Sequence, residues 1–287
     1  MIEQFTDVKF QRQVREKLYQ VENICNEYSK LTLRQLYYQL VSRGIIPNNT
    51  KEYGKLSYLL TKARMGGIID WDIIEDRTRS DRIPYWVYGI RDALQDTIDF
   101  YRLDRMKGQE NYIEVWVEKD ALSGVLYEIT KQYHIRLIVN KGYSSTTFMH
   151  NAYQRIGRNN NPCILYIGDH DPSGLDMVRD IGDRLFEFGV TVSVEHIALT
   201  MDQIQEYNPP PNPAKMTDTR AREYVAIHGN SSWEVDALPP DVLNEILEDR
   251  ILELIDESLY KKIMESEKRD IEKMREFVYN NLNEDDE

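Results

Sequence analysis

The spacing of apolar residues predicts helices in the first third of the chain. Apolar side chains recur every three or four residues over 1–28, 33–43 and 52–65, as on one face of an amphipathic helix. The second helix follows Thr32 and carries Gln35 three residues later, which is the pattern of a capping box. Residues 68–77 then predict a short hairpin or wing. This order indicates a winged helix-turn-helix, although an ordinary small helical domain fits the charge pattern equally well.

Short apolar segments alternate with helical patterns beyond residue 108. Strands are predicted at 112–118, 137–140, 163–167 and 190–198, and helices at 121–133, 146–157 and 175–188. Such alternation favours an α/β fold with a mostly parallel sheet covered by helices. A highly charged helical stretch follows over 240–280. The predicted parts are therefore a helical arm over 1–27, a winged-helix domain over 28–107, and an α/β domain over 108–287 with an acidic helical C-terminus.

The composition is that of a globular protein with room for two modest cores. The chain has 287 residues, of which 41% are hydrophobic. It has no apolar run near roughly 18 residues and no charged-then-apolar leader, so we expect neither a membrane-spanning nor a secreted protein. Its two cysteines, Cys25 and Cys163, have no metal-binding spacing, which favours a reducing cytoplasm.

The charge of the chain is unevenly distributed. Its formal net charge of −13 argues at first sight against nucleic acid. Residues 28–91, however, hold 11 basic and 6 acidic residues, whereas residues 241–287 hold 7 and 16. Because phosphate binding requires a local basic face rather than a basic whole, a DNA-binding function remains open.

Acidic residues follow two of the predicted strands. Glu118 ends the strand over 112–118, and Asp169 and Asp171 follow the strand over 163–167. The carboxyl ends of strands form the ligand crevice of an open α/β sheet, and carboxylate oxygens suit Mg²⁺. The sequence therefore predicts Mg²⁺ held by Glu118, Asp169 and Asp171. The alternative is that the two aspartates only cap the next helix.

Two adjacent tyrosines differ in their helical phase. Tyr37 falls on the apolar stripe of its helix with Leu33 and Leu40, so we expect a core aromatic. Tyr38 has Arg34 four residues before it, which predicts a hydroxyl beside a guanidinium on the polar side.

Several short blocks resemble one family of DNA-cleaving proteins. Val-Glu-Lys at 117–119, Lys-Gly-Tyr at 141–143 and Gly-Asp-His-Asp-Pro-Ser-Gly at 168–174 resemble a Toprim domain, in the form found in the topoisomerase VI A subunit and the related meiotic double-strand-break proteins. Residues 32–38 resemble the family's winged-helix catalytic motif, in which an arginine precedes two aromatics and the second is the nucleophile. Residues 233–238 resemble a late strand of its metal-bearing domain. The short chain is similar to the reduced, A-only forms carried by mobile elements.

The resemblance implies a type IIB topoisomerase-like cleavage of double-stranded DNA. Tyr38 would be the nucleophile assisted by Arg34, Glu118 would donate or accept the proton and bind metal, and Asp169 and Asp171 would bind Mg²⁺. It also implies a homodimer in which each tyrosine meets the metal site of the other protomer. The sequence lacks a GxxxxGK[ST] loop, so an ATPase activity would come from a partner resembling the B subunit. The expected location is the cytoplasm, on the nucleoid.

Basic residues near these motifs are the predicted DNA contacts. They are Lys51, Lys55, Lys62, Arg64, Arg77, Arg79, Lys119 and Lys141. Three other functions fit parts of the pattern: a metal-dependent nuclease that uses water, a phosphatase with an aspartate nucleophile, and a non-catalytic DNA-binding protein.

Overall fold

The computed structural model describes residues 5–28, 31–75, 84–214 and 216–282. Its helices there are α1 (Arg12–Glu27), α2 (Leu33–Ser42), α3 (Thr50–Met65), α4 (Ile90–Phe100), α5 (Asp120–Tyr133), α6 (Thr146–Ile156), α7 (Pro172–Glu187), α8 (Met201–Tyr207), α9 (Ala221–His228), α10 (Pro240–Leu254) and α11 (Glu257–Asn281). Its strands are β1 (Leu31–Thr32), β2 (Ile74–Glu75), β3 (Tyr112–Val117), β4 (Arg136–Val139), β5 (Pro162–Ile167), β6 (Ser193–Ala198), β7 (Asn212–Pro213) and β8 (Ser231–Ser232). This alternation confirms the predicted α/β fold.

A four-stranded parallel sheet lies at the centre of the second half of the chain. Its strand order is β4-β3-β5-β6, and all neighbouring strands are parallel. Successive side chains of a strand point to opposite faces. Val115 and Leu165 therefore pack with α5 and α10, whereas Trp116 and Tyr166 pack with α6 and α7. Helices cover both faces, which explains why β3 and β5 are almost continuously apolar.

The chain changes direction in the sheet between β3 and β5. From β3 it passes through α5 to β4 on one side, and from β5 it passes through α7 to β6 on the other. In open α/β sheets, ligands bind at such a switch point, beyond the carboxyl ends of the strands. Val117 and Ile167, which end β3 and β5, are paired in register. The residues that follow them therefore meet at this crevice.

The helices α1, α2 and α3 pack around a separate apolar core. Leu36, Leu40 and Leu60 are buried there. The capping box predicted for α2 is confirmed: the Gln35 side chain accepts from the Thr32 backbone N–H at 2.8 Å, and the Thr32 hydroxyl accepts from the Gln35 backbone N–H at 3.3 Å.

The segment over 68–77, predicted as a short hairpin or wing, forms no hairpin in its described part, residues 68–75. Asp70 accepts a hydrogen bond from the Asp72 backbone and begins a 3₁₀ turn at Trp71–Ile73. Strand β2 follows and pairs in parallel with β1. Its partner is thus a strand about 40 residues earlier, which a parallel pair requires because a tight turn joins only antiparallel strands.

The C-terminal stretch predicted as one helical region consists of two helices. Asp256 interrupts it, because its side chain accepts from the backbone N–H groups of Ser258 and Leu259 and so caps α11. The strand expected over 233–238 is an extended segment that ends in a 3₁₀ turn at Val235–Ala237. No helix in the described ranges has both the length and the apolar character needed to cross a bilayer.

Candidate active site

Glu118 and Asp169 meet at the ends of β3 and β5. The backbone N–H of Glu118 donates to the carbonyl oxygen of Ile167 at 2.9 Å, which extends the pairing of the two strands by one residue. The Glu118 side chain turns toward β5, where its Oε2 accepts from the backbone N–H of Asp169 at 3.1 Å. The two acids therefore come together, as the strand pattern predicts.

Asp171 is the N-cap of α7. Its Oδ1 accepts from the backbone N–H of Gly174 at 2.7 Å and from the Ser173 hydroxyl at 3.1 Å. Gly174 has no room for a side chain, because a Cβ there would lie 2.1 Å from the carbonyl oxygen of Asp169. The helix begins at Pro172, earlier than predicted, and the capping role considered for Asp171 is confirmed. That role uses one of its two carboxylate oxygens.

His170 anchors a distant segment beside these acids. Its backbone exchanges two hydrogen bonds with Trp233, of 2.9 and 3.0 Å, and its side chain turns away from the aspartates to the Tyr224 hydroxyl, 2.9 Å from Nδ1. The backbone N–H of Val235 also donates to Asp169 Oδ1 at 2.8 Å. The segment over 233–236 is thereby fixed against the loop after β5, which adds two more carboxylates, those of Glu234 and Asp236, to the site.

Lys119 lies at the centre of the resulting acidic cluster. Its Nζ is 2.7 Å from Asp169, 2.5 Å from Glu234 and 2.8 Å from Asp236. Only 15% of its side chain is exposed, and that of Asp236 is fully buried. Burial opposes the ammonium charge, but the three carboxylates outweigh it and raise the pKa of Lys119. The contact of Lys119 with DNA stays a prediction, and in the structure its ammonium pairs with these three acids.

Arg34, which lies on α2, also contacts the acidic cluster. Its Nε is 2.6 Å from Asp236 Oδ2, and its Nη2 bonds Glu234. The guanidinium carbon lies 5.9 Å from the centre of the Tyr38 ring. Arg34 therefore contacts the acids and also lies over the ring of the tyrosine that follows it by one helical turn, whereas the prediction placed it beside the Tyr38 hydroxyl.

One cavity contains the tyrosine and two of the predicted metal ligands. Its volume is about 550 Å³. Its lining includes Arg34, Tyr37, Tyr38, Asn48, Asp169, Asp171, Asn212 and Glu234. Glu118 is not among the described residues that line it, since it contacts Asp169 from the β3 side. The cavity thus brings together groups from both halves of the chain.

The two tyrosines are both buried, but their phenols have different partners. Tyr37 is 4% exposed, as predicted for a core aromatic, and its hydroxyl donates to Asn48 Oδ1 at 3.0 Å. Tyr38 is 5% exposed, so the prediction that it lies on an open polar side is wrong. Burial raises the pKa of Tyr38 to about 12, helped by nearby acids and opposed by Arg34 and a hydrogen bond with Asn212.

The acids form two overlapping groups of oxygen donors. In the first, oxygens of Asp169, Glu234 and Asp236 lie within 4.8 Å of one another. The Lys119 ammonium, however, contacts all three of these side chains. A metal ion bound by this group would have to displace a buried ammonium, so the group is better described as an ion-pair network.

The second group, Glu118, Asp169 and Asp171, is more widely spaced than the first, since in the described ranges its oxygens do not all lie within 4.8 Å of one another, but of its three side chains only Asp169 contacts Lys119. In the part of the chain that the structure describes, Glu118 Oε1 and Asp171 Oδ2 make no hydrogen bond or ion pair. Burial raises the pKa of Asp169 to about 7 and also raises that of Glu118. Hard carboxylate oxygens suit Mg²⁺, and a bound cation would favour the ionised acids. These residues are therefore the ones that would hold the predicted ion.

Three of the four predicted DNA contacts on α3 share an exposed face. Lys51, Lys55 and Lys62 are exposed and fall on one side of the helix by their spacing. Lys55 also pairs with Glu52 at 2.5 Å. Arg64 is half-buried, with its guanidinium 5.1 Å from the ring centre of Trp71.

The remaining predicted DNA contacts lie elsewhere. Lys141 is exposed at the sheet edge and pairs with Asp120 at 2.9 Å. Arg77 and Arg79 lie outside the described residues. Of the predicted DNA contacts in the described ranges, the exposed ones are therefore Lys51, Lys55 and Lys62 on α3 and Lys141 at the sheet edge.

Glu234, Asp236 and Asn212 are site residues that the sequence did not single out. Glu234 and Asp236 stand two residues apart in Trp-Glu-Val-Asp, the same spacing as Asp169 and Asp171. This repeated spacing is the feature of the sequence that could have indicated a second pair of acids at the site. It was not decisive, because only the pairing of His170 with Trp233 brings the two acids to the sheet edge.

Asp171→Asn is expected to weaken binding of a divalent cation by on the order of tenfold or more, because it removes a charged ligand. Asparagine retains a carbonyl oxygen for the helix cap, so α7 should be undisturbed. Titration with Mn²⁺, followed by electron paramagnetic resonance, measures the affinity. Asp183→Asn is the matched control, since Asp183 lies on the same helix and pairs only with Arg179 in the described ranges. Equal affinities of the two variants would contradict the assignment.

Comparison of the chain with protein-family models, with curated proteins and with solved structures found no match. Its function must therefore be inferred from its own residues and their geometry.

Proposed function

We propose that this protein cleaves duplex DNA by a type IIB topoisomerase-like transesterification. The observation that carries the proposal is the cavity of about 550 Å³ that Tyr38, Arg34, Asp169 and Asp171 line together. Phosphodiester cleavage by a tyrosine needs a nucleophile, a group that stabilises phosphate charge, and ligands for a divalent cation. The cavity offers all three.

Tyr38 is the proposed nucleophile. Its phenol oxygen would form a bond to a backbone phosphorus while the bond from that phosphorus to one deoxyribose oxygen breaks. The products are a phosphotyrosine link on one side of the break and a free hydroxyl on the other. The phenol loses a proton and the leaving oxygen gains one, so the step is balanced. Because burial raises the pKa of Tyr38 to about 12, the phenol needs a proton acceptor at neutral pH.

Arg34 and Glu118 are the proposed assistants. Arg34 uses Nε and Nη2 for Asp236 and Glu234, whereas its Nη1 makes no hydrogen bond within the described ranges. That N–H group is available to a phosphate oxygen beside Tyr38. Glu118 would carry the proton and, with Asp169 and Asp171, hold the cation. When bound, Mg²⁺ supplies positive charge that neutralises the phosphate and the leaving oxygen.

The proposal extends to the domains and partners of the protein. Residues 28–107 would act as a winged-helix domain that presents Tyr38 and the lysines of α3 to double-stranded DNA, and residues 108–287 as a Toprim domain. A homodimer would provide one site for each DNA strand. Strand passage would need an ATPase partner resembling the topoisomerase VI B subunit. The proposed location is the cytoplasm, on the nucleoid.

Trapping of a covalent complex tests this proposal. The protein is incubated with supercoiled plasmid and Mg²⁺, and the reaction is stopped with a denaturing detergent. We expect broken plasmid with protein attached to its ends, and no breakage when a chelator replaces Mg²⁺.

Two other results would favour different functions. Broken plasmid with protein-free ends would indicate a metal-dependent nuclease that uses water. Plasmid that is bound but never broken would indicate a non-catalytic DNA-binding protein. Either result would contradict the proposed transesterification.

A further inference from the structure

The two halves of the proposed site are joined within a single chain. Arg34 of α2 pairs with Asp236 at 2.6 Å and also bonds Glu234. Asp236 pairs with Lys119 at 2.8 Å, and Lys119 pairs with Asp169 at 2.7 Å. Every step from the helix of Tyr38 to the metal-binding acids is therefore a direct ionic contact. These contacts are partly or wholly buried, where charges are screened less by water and salt than at the surface.

A second connection between the two halves involves Asn48 and Asn212, which also line the cavity. The Nδ2 of Asn48, which follows α2, donates to Oδ1 of Asn212 at 2.9 Å. Asn212 belongs to β7, and β7 pairs with β8 directly before the segment that carries Glu234. Asn212 and Tyr38 line the same cavity. The β7–β8 pair is therefore tied to the segment that follows α2.

Apolar packing continues the same interface. Ala237, which lies next to Asp236, is buried in the core formed by α1, α2 and α3. In the 3₁₀ turn at Val235–Ala237, Ala237 thus packs in the helical core, and the preceding residue, Asp236, binds Arg34 and Lys119. This turn therefore contacts both the helical core and the acidic cluster, and Tyr38 belongs to the same core as Ala237.

We propose that each chain contains a complete cleavage site, in which Tyr38 attacks a phosphate held at the acids of its own chain. This inference rests on the proposed function. It departs from the arrangement implied by the family resemblance, in which the tyrosine of one protomer meets the acids of its partner. Dimerisation would then serve only to bring two complete sites to the two DNA strands.

Heterodimers of defined composition test the inference. Two differently tagged chains are co-expressed and purified through both tags in succession. In the first heterodimer, one chain carries Tyr38→Phe and the other Asp169→Asn. In the second, one chain is wild type and the other carries both substitutions. The two heterodimers contain the same substitutions in a different distribution, so each controls for the folding of the other. Asparagine at 169 retains the oxygen that accepts from the Val235 backbone.

Attack within one chain predicts no covalent DNA adduct from the first heterodimer and an adduct on the wild-type chain of the second. Attack between chains predicts the reverse: the first heterodimer forms an adduct through its Asp169→Asn chain, and the second forms none. That reverse result would overturn the inference and leave the proposed function intact. Failure of the wild-type homodimer to form an adduct would instead overturn the proposed function together with the inference. An adduct formed by a monomer would support attack within one chain.

Discussion

Tyr38→Phe is expected to abolish covalent attachment of the protein to DNA. Phenylalanine retains the buried ring but has no oxygen to bond to phosphorus, so the adduct should fall by at least about a thousandfold. The detergent-trapping assay measures this loss. Binding of intact duplex should persist in a mobility-shift assay, because the exposed lysines of α3 are unchanged.

Tyr37→Phe is the matched control for this prediction. Tyr37 lies on the same helix, lines the same cavity and undergoes the same chemical change. Its hydroxyl bonds Asn48 and the backbone of Asn49, so its removal should cost about 1 kcal/mol of folding stability and leave the adduct in place. An adduct that survives in Tyr38→Phe, or disappears only in Tyr37→Phe, would show that Tyr38 is not the nucleophile.

Features that depend on neighbouring residues could be predicted from the sequence. The capping box needs only Thr32 and Gln35, and the apolar segments of β3 and β5 are local patterns. The contact of Glu118 with Asp169 joins residues far apart in the chain, but it follows from the geometry of a parallel sheet. Two strands that end in register bring their next residues to one edge, so this part of the site could also be predicted.

Features that depend on long-range docking could not be predicted. Glu234 and Asp236 join the site because the backbone of Trp233 pairs with that of His170, and no local pattern specifies that bridge. Lys119 was predicted to contact DNA because it is a basic residue beside an acidic motif. Its position among three carboxylates follows only after Glu234 and Asp236 have been placed.

The burial of Tyr38 could not be predicted from helical phase alone. Phase separates the apolar stripe of α2 from its other side, and Tyr38 falls on the other side with Arg34. That side would be exposed if α2 packed only against α1 and α3. The turn at Val235–Ala237 covers it instead, so Tyr38 is buried while its phenol still reaches the cavity. The sequence of α2 alone does not show that a turn from a distant part of the chain covers its second side.

Lys119→Met is expected to lower the free energy of unfolding by about 3–5 kcal/mol, because it leaves buried carboxylates without their shared counter-ion. Asp236 would retain only Arg34, and Asp169 would retain no ion pair in the described ranges. Methionine fills a similar volume without charge, so the loss reports mainly on electrostatics. Urea unfolding of the variant and the wild type, analysed by linear extrapolation, measures the difference.

The loss should depend on pH in a defined direction. Burial already raises the pKa of Asp169 to about 7, and removal of Lys119 would raise it further. A carboxyl whose pKa is higher in the folded than in the unfolded state stabilises the folded protein at low pH. That contribution is lost as the pH rises through the pKa of the carboxyl in the folded state. The variant should therefore be more destabilised at about pH 8 than at about pH 5, since at low pH the unpaired acid is protonated.

Lys141→Met is the control, because it removes an exposed lysine 2.9 Å from Asp120 and should cost less than about 1 kcal/mol. Similar losses in the two variants, or no dependence on pH, would contradict the central role of Lys119 in the acidic cluster.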